Sequence, residues 1–144
     1  MTGADLPKLL AQVLDATGPD RELDAALAVA FLPGARAAEA DSVAGTYWCY
    51  SPSLGAYLLI AERYTASLDA AIALMERVLP GWRMGVRDDI GVVTAWLYSP
   101  DFKATLSRVV QGYMVEGQRG ATRPLALLTA MLKALIAKKA APAR

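Results

Sequence analysis

The chain contains no histidine, and its only cysteine is Cys49. Histidine is the commonest general base and the commonest transition-metal ligand, and a structural zinc site needs several cysteine or histidine ligands. A single cysteine also excludes a disulfide within the chain. The one adjacent pair of carboxylates, Asp88 and Asp89, lies in a predicted turn, where aspartate commonly makes local hydrogen bonds. We therefore predict no enzyme activity, no cofactor and no metal site, although the sequence leaves hydrolysis by carboxylates alone open.

Long apolar runs and a strong charge of either sign are also absent. The apolar run near residues 54–61 is far too short to cross a bilayer, and the N-terminus has no basic segment followed by a long apolar one. The net charge of +1 gives no global attraction to nucleic acid or to an anionic membrane. Apolar residues make up 55% of the chain, which is ample for a hydrophobic core. We expect a cytoplasmic protein with no membrane partner.

The chain does contain an ordered pattern between residues 64 and 137, which predicts a helix, three strands and a second helix. The middle strand, residues 91–98, is apolar on both of its alternating faces, so we expect it to be covered on both sides. Two helices of the same unit cover only one face well, and the N-terminal residues, which are helical in pattern, are expected to supply the second layer. The prediction is an α/β (α+β) fold: a small, mostly antiparallel sheet of three to five strands with helices packed on both faces.

The same pattern divides the chain, which we predict to be a single domain over residues 1–144. Residues 1–34 form an N-terminal helical layer, and residues 35–63 form a variable loop or hairpin. Residues 64–139 form the helix-strand-strand-strand-helix unit. Within residues 35–63, the runs 46–50 and 56–60 have the aromatic and β-branched content of a hairpin.

Several short motifs in these elements carry a resemblance to a known family. Residues 23–28 and 68–73 are similar acid-and-alanine helix starts, each followed by Leu-Pro-Gly, and residues 120–127 read Gly-Ala-Thr-Arg-Pro-Leu-Ala-Leu. Together with Tyr-Thr-Ala-Ser at 64–67 and Pro-Gly-Trp at 80–82, these motifs resemble small phage and prophage accessory proteins of the phage α/β/α (ABA) sandwich type. The resemblance implies a phage-encoded accessory protein in the host cytoplasm, and it transfers no catalytic residue.

Residues 35–63 lie outside that resemblance and contain a cluster of aromatic residues. The cluster consists of Tyr47, Trp48, Tyr50 and Tyr57. Large, rigid and amphipathic side chains of this kind are typical of protein-binding hot spots if they are exposed, and of local packing if they are not. We predict a non-enzymatic protein-binding surface on this cluster, with Arg83 and Arg87 as flanking charges. The partner would be a host defence or metabolic protein, which the chain would inhibit, or another phage protein.

Two alternatives stay open. The order helix, three strands, helix is also that of double-stranded RNA-binding domains, although the lysine cluster that clamps phosphates there is represented here by a single base. Nucleic-acid (dsRNA or DNA) binding would then use basic residues of the second half. These residues are Arg108, Arg119, Arg123 and Lys133. A structural or assembly role through self-association is the other alternative, with an exposed strand edge at residues 108–116. The sequence leaves the partner and the oligomeric state open.

Overall fold

The computed structural model describes residues 5–104, 109–112 and 114–140. The helices within these residues are α1 (Leu6–Asp15), α2 (Arg21–Phe31), α3 (Leu68–Val78) and α4 (Arg123–Ala140). The first strands are β1 (Ala35–Ala37), β2 (Thr46–Ser51), β3 (Gly55–Ile60) and β4 (Arg83–Asp89). The remaining strands are β5 (Val92–Tyr98), β6 (Lys103–Ala104), β7 (Val109–Gln111) and β8 (Met114–Gly120).

All strand pairs in this part of the chain are antiparallel. Strands β1, β2 and β3 form the N-terminal sheet in that order, and strands β4, β5 and β8 form the C-terminal sheet in that order. Strands β6 and β7 form a separate small hairpin. The predicted α+β class, with helices and small antiparallel sheets, is confirmed.

The helices begin where the sequence offers capping side chains. The Asp20 carboxylate accepts a hydrogen bond from the Leu23 backbone N–H at 3.1 Å, and the Ser67 hydroxyl accepts one from the Ala70 N–H at 3.2 Å. Each bond satisfies an amide that has no partner inside the helix. These local contacts set the starting points of α2 and α3.

Helix α4 lies at the centre of the fold. Residues 124–132 are all buried, because the C-terminal sheet packs on one side of the helix while α1 and α3 pack on others. A helix that is apolar all round requires such neighbours. The sheet contributes Val93, Ala95 and Leu97 to this contact, all from one face of β5.

The opposite face of β5 was expected to be covered by a second layer of helices, and the structure shows no such layer over it among the described residues. Thr94, Trp96 and Tyr98 on that face are half-buried, and the N-terminal helix α1 packs on α4 instead. The reason is that α4 itself is apolar on more than one side and needs the cover that α1 supplies. The free face of β5 is partly covered by cross-strand packing, chiefly by Trp96, whose ring lies against Gly85 of β4.

The predicted third strand at residues 108–116 is divided. Its first part belongs to β7, which pairs with β6, and its second part belongs to β8, which pairs with β5. Gly112 separates the two with a positive φ of 80°, a backbone conformation that favours glycine. Arg108 lies outside the described residues.

A buried polar contact fixes the N-terminal sheet to the rest of the molecule. The fully buried Asp24 carboxylate accepts hydrogen bonds from the Thr65 N–H at 2.8 Å and from the Thr65 hydroxyl at 2.7 Å. It also forms an ion pair at 2.7 Å with Arg21, whose guanidinium donates to the carbonyl of Ala61 at 2.7 Å. Because Ala61 directly follows β3, the contact ties α2 to the end of this strand and to the segment before α3.

Candidate functional site

The register of the N-terminal sheet sorts its side chains onto two faces. Trp48 lies opposite Leu58, Tyr50 opposite Ala56, and Thr46 opposite Ile60. Directly opposed residues of an antiparallel pair point to the same face, and alternate residues point to opposite faces. We call this set the outer face; its members are Thr46, Trp48, Tyr50, Ala56, Leu58 and Ile60.

The other face of the same sheet points to the core. Tyr47 is buried there, and Ala35 and Cys49 pack against the buried cluster. Burial raises the pKa of the Tyr47 hydroxyl above its ordinary value. The prediction that Tyr47 is part of a binding surface is therefore corrected: the alternation of strand side chains puts it on the inner face.

The outer face is apolar and open to solvent. The exposed fractions are 61% for Tyr50, 47% for Leu58 and 75% for Ile60. Side chains of this type are usually exposed singly, and a contiguous group of them on one surface commonly marks an interaction site. Tyr50 is therefore exposed, as a binding anchor must be, and aliphatic neighbours from β3 lie on the same face.

Trp48 lies between this surface and a polar border. Its indole Nε1 donates to both carboxylate oxygens of Glu39 at 3.1 Å, and its cross-strand neighbour on β1 is Arg36. Hydrogen bonds from the backbone at Glu39 and from the Trp48 indole lower the pKa of the Glu39 carboxyl below its ordinary value. The border therefore carries one negative and one positive charge, a common arrangement around the apolar centre of a protein interface.

Tyr57 lies on the inner side of the sheet, opposite Cys49. A hydrogen bond with the Cys49 side chain raises the pKa of the Tyr57 hydroxyl. The tyrosine is still partly exposed, at 37%, because β3 is the last strand of the sheet. The structure therefore does not bring Tyr57 together with Trp48 and Tyr50.

Arg83 and Arg87 lie on β4, in the other sheet, whose strands do not pair with the N-terminal sheet. Arg87 forms an ion pair with Asp89 at 3.3 Å, and the Arg83 guanidinium lies 5.9 Å from the centre of the Tyr98 ring. Both arginines face the same side as Trp96, because Arg83, Gly85 and Arg87 alternate along the strand. They are flanking charges of a different aromatic surface.

The basic residues of the nucleic-acid alternative are also distributed over several elements. Arg119 lies opposite Thr94, whose neighbour on the other side is Arg87, so these two arginines share the free face of the C-terminal sheet. Arg123 begins α4 and pairs with Asp88 at 3.8 Å. Lys133 is exposed in the middle of α4. The structure thus brings Arg83, Arg87 and Arg119 together around Trp96, a grouping that sequence reasoning missed.

An open groove of about 660 Å³ lies between α1, α2 and residues 37–46. Alanine is the commonest residue of its walls, and its charged groups include Lys8, Glu22 and Glu39. Among the described residues, no group of three or more histidine, cysteine, aspartate or glutamate side chains is arranged to hold a metal ion. The Ser42 hydroxyl donates to the Glu39 carboxylate at 3.2 Å within the groove, but the same carboxylate also accepts from the Trp48 indole, so we read this contact as local hydrogen bonding and assign no chemistry to the groove.

The residues that sequence reasoning missed on the outer face are Leu58 and Ile60. Their signal is the uncharged run 56–60, which the sequence predicts as a hairpin strand and which the structure confirms as part of β3. An apolar run of this length is also typical of a buried strand, so the pattern alone does not indicate exposure. Exposure follows from the register, which puts Leu58 and Ile60 on the outer face together with Tyr50.

In the described part of the chain, no helix combines the length and the apolar character that crossing a membrane requires. No family model, no curated protein and no solved structure matches this chain.

Proposed function

We propose that the chain is a non-enzymatic protein-binding protein, and that the outer face of the N-terminal sheet docks onto an apolar patch of another protein. The observation that supports this most directly is that Trp48, Tyr50, Leu58 and Ile60 share one face of the sheet, on which Trp48 is half-buried and the other three are exposed to solvent. The strand backbone is already ordered, so binding here needs no further ordering of the main chain and costs only the rotamer freedom of the side chains that are covered. Aromatic anchors surrounded by aliphatic contacts are the usual centre of a binding hot spot.

The border of the surface indicates the chemistry of the partner. Arg36 and Glu39 lie beside the Trp48 ring, so a complementary partner would carry an apolar patch flanked by one acidic and one basic group. The motif resemblance described above supports a phage-encoded accessory protein that acts in the host cytoplasm. The proposed target is a host defence or metabolic protein, which binding would inhibit, or another phage protein.

The test begins with capture of partners by the tagged chain from nuclease-treated host lysate, followed by titration of the purified partner. Tyr50→Ala is expected to weaken binding by about tenfold or more, because truncating a hot-spot residue costs at least about 1.4 kcal/mol. Ile90→Ala is the matched control, since Ile90 is a fully exposed apolar side chain in the turn between β4 and β5, away from the outer face. Equal affinities for the Tyr50→Ala variant and the wild type would reject the outer face as the binding surface.

A second candidate function is single-stranded nucleic-acid binding on the free face of the C-terminal sheet. A β-carbon built on Gly85 would come within van der Waals overlap of the Trp96 ring, so the ring rests directly on the glycine. Arg83 and Arg87 flank Gly85 on the same strand face, and Arg119 lies on β8 of the same face. Aromatic rings stack on bases while arginines pair with phosphates, and this combination is typical of single-strand binding surfaces.

Fluorescence anisotropy with a labelled single-stranded oligonucleotide tests this candidate. Arg87→Gln and Arg119→Gln are each expected to lower the slope of log affinity against log salt concentration by about one. Lys133→Gln is the control, because Lys133 lies on α4 and outside this face. If the wild-type chain shows no binding at low salt, nucleic-acid binding is rejected.

A further inference from the structure

Strand β3 ends the N-terminal sheet and exposes its backbone on one side. The Ala61 N–H donates to the Gly45 carbonyl at 2.7 Å, and the Tyr50 N–H donates to the Gly34 carbonyl at 3.2 Å. The N–H and C=O groups of successive residues alternate in direction along an antiparallel strand. Both bonds therefore show that the backbone groups of the odd-numbered β3 residues point to β2. The amides and carbonyls of Ala56, Leu58 and Ile60 therefore point away from the sheet, where no described strand pairs with them.

The residues of β3 give this edge no protection against pairing. Between Gly55 and Ile60 there is no charge and no proline, and the pairing with β2 shows no bulge. Proteins usually protect their edges with one of these features. The outer strand β4 of the C-terminal sheet carries four charged residues, which are Arg83, Arg87, Asp88 and Asp89. The other edge of the N-terminal sheet, β1, is only three residues long and carries Arg36.

We propose that β3 pairs with β3 of a second copy of this chain, antiparallel and around a twofold axis at Leu58. In such a pair, residues whose backbone points outward must oppose each other, which restricts the register to steps of two. Of these registers, the one that pairs the most outward residues places Leu58 opposite Leu58 of the second copy and Ala56 opposite Ile60. Each outward residue then exchanges one donor and one acceptor with its opposite residue.

The strand is complementary to itself in this register, and this complementarity favours a second copy as the occupant. The small Ala56 faces the large Ile60, and Tyr57 faces Leu59 on the inner side of the sheet. The charged residues that follow the strand, Glu62 and Arg63, come opposite Leu54 and Ser53 of the second copy, so no like charges are directly opposed. The contact is the same patch on both partners, as closed twofold dimers require.

The dimer extends beyond the proposed protein-binding function and does not depend on it. An added strand lies beside β3, in the plane of the sheet, and leaves the rings of Trp48 and Tyr50 free. The two N-terminal sheets would become one continuous sheet with two outer faces side by side. A partner with two matching patches would then bind with increased avidity.

Sedimentation of the full-length chain over a concentration series measures dimer formation, and charges introduced at the axis test the pairing. Leu58→Lys and Leu58→Glu each place like charges opposite each other, so each variant alone is expected to show a dimer dissociation constant at least 100-fold higher than the wild type. An equimolar mixture of the two variants is expected to restore the dimer, because opposite charges then meet. Leu14→Lys, a change of an exposed leucine on α1, is expected to leave the dimer intact.

Circular dichroism of each variant separates loss of pairing from loss of folding. Restoration of the dimer by the mixture would also show that both variants are folded. A wild-type chain that stays monomeric at high micromolar concentration would overturn the proposal. Unchanged dimerisation in both single variants, or folded variants that fail to pair when mixed, would overturn it as well.

Discussion

The two three-stranded sheets of this molecule are similar in size and differ in how their surfaces are covered. The C-terminal sheet packs one face against α4, and its outer strand β4 is charged. The N-terminal sheet packs its inner face through Tyr47 and leaves an uncharged outer face and an uncharged edge in solvent. Covered surface stabilises a fold, whereas exposed apolar surface is available for association. We infer that the C-terminal sheet is mainly structural and the N-terminal sheet mainly a recognition element.

The free faces of the two sheets differ in a similar way. On the C-terminal sheet, Trp96 rests on Gly85, and Tyr98 contacts Phe102 with ring centres 4.7 Å apart. On the N-terminal sheet, Tyr50 and Ile60 extend into solvent. The aromatic residues of the C-terminal sheet thus pack against their own sheet, whereas Tyr50 of the N-terminal sheet remains exposed. The following predictions test this contrast, beginning with the largest expected effect.

Truncation of one leucine in each sheet is expected to affect stability very differently. Leu97→Ala removes a fully buried side chain under α4, and the free energy of unfolding is expected to fall by about 2–5 kcal/mol. Leu58→Ala removes an outer-face side chain, and the change is expected to stay within about 0.5 kcal/mol when the protein is monomeric. Urea denaturation at low protein concentration measures both values. Similar losses in the two variants would contradict the division into a structural and a recognition sheet.

A methyl group at Gly85 is expected to disturb the free face of the C-terminal sheet. Its β-carbon would overlap the indole ring of Trp96, so Gly85→Ala is expected to displace the ring and lower the free energy of unfolding by about 1–3 kcal/mol. Gly18→Ala is the control, because nothing lies within 4 Å of its β-carbon position. Thermal unfolding gives the stability, and a changed tryptophan emission spectrum reports the ring. An unchanged spectrum and stability in Gly85→Ala would show that the ring does not depend on this glycine.

The turn between β4 and β5 offers the smallest of these effects, and it is a gain. Ile90 has a positive φ of 52°, which a β-branched residue adopts at a cost, and its side chain is fully exposed. Asparagine suits this position of a two-residue hairpin turn, so Ile90→Asn is expected to raise the free energy of unfolding by about 1 kcal/mol. Val43→Asn changes another exposed apolar residue without a positive φ, and it is expected to be neutral. Chemical denaturation distinguishes the two variants.

The elements that local chemistry determines were predictable from the sequence. The capping roles of Asp20 and Ser67 follow from side chains that bond to nearby amides, and the hairpin of β2 and β3 follows from its aromatic and β-branched residues. Which side chains are exposed and which are buried was harder to predict from the sequence. Whether a strand side chain points to the covered or the open face of a sheet depends on packing with distant segments, and Leu58 is exposed because it lies on the open face.

The candidate site shows the same limit. Strand alternation separates Tyr47 from its neighbours Trp48 and Tyr50, and the first of these three residues belongs to the core. The sequence places all three residues in one cluster because they are close along the chain. It does not show which face of the sheet each side chain occupies, since this depends on how the strand packs. Arg83 and Arg119 came together only through the pairing of β4 and β8 with β5.

The contact between Arg21, Asp24 and Thr65 has a consequence for motions of the N-terminal sheet. Opening this sheet would leave the buried Asp24 carboxylate without the backbone and hydroxyl donors of Thr65, which is costly in a low-dielectric environment. The last residues of β3, the start of α2 and the segment before α3 are therefore expected to open and close as one cooperative unit. In native-state hydrogen exchange, amides of these three segments would share a single opening free energy.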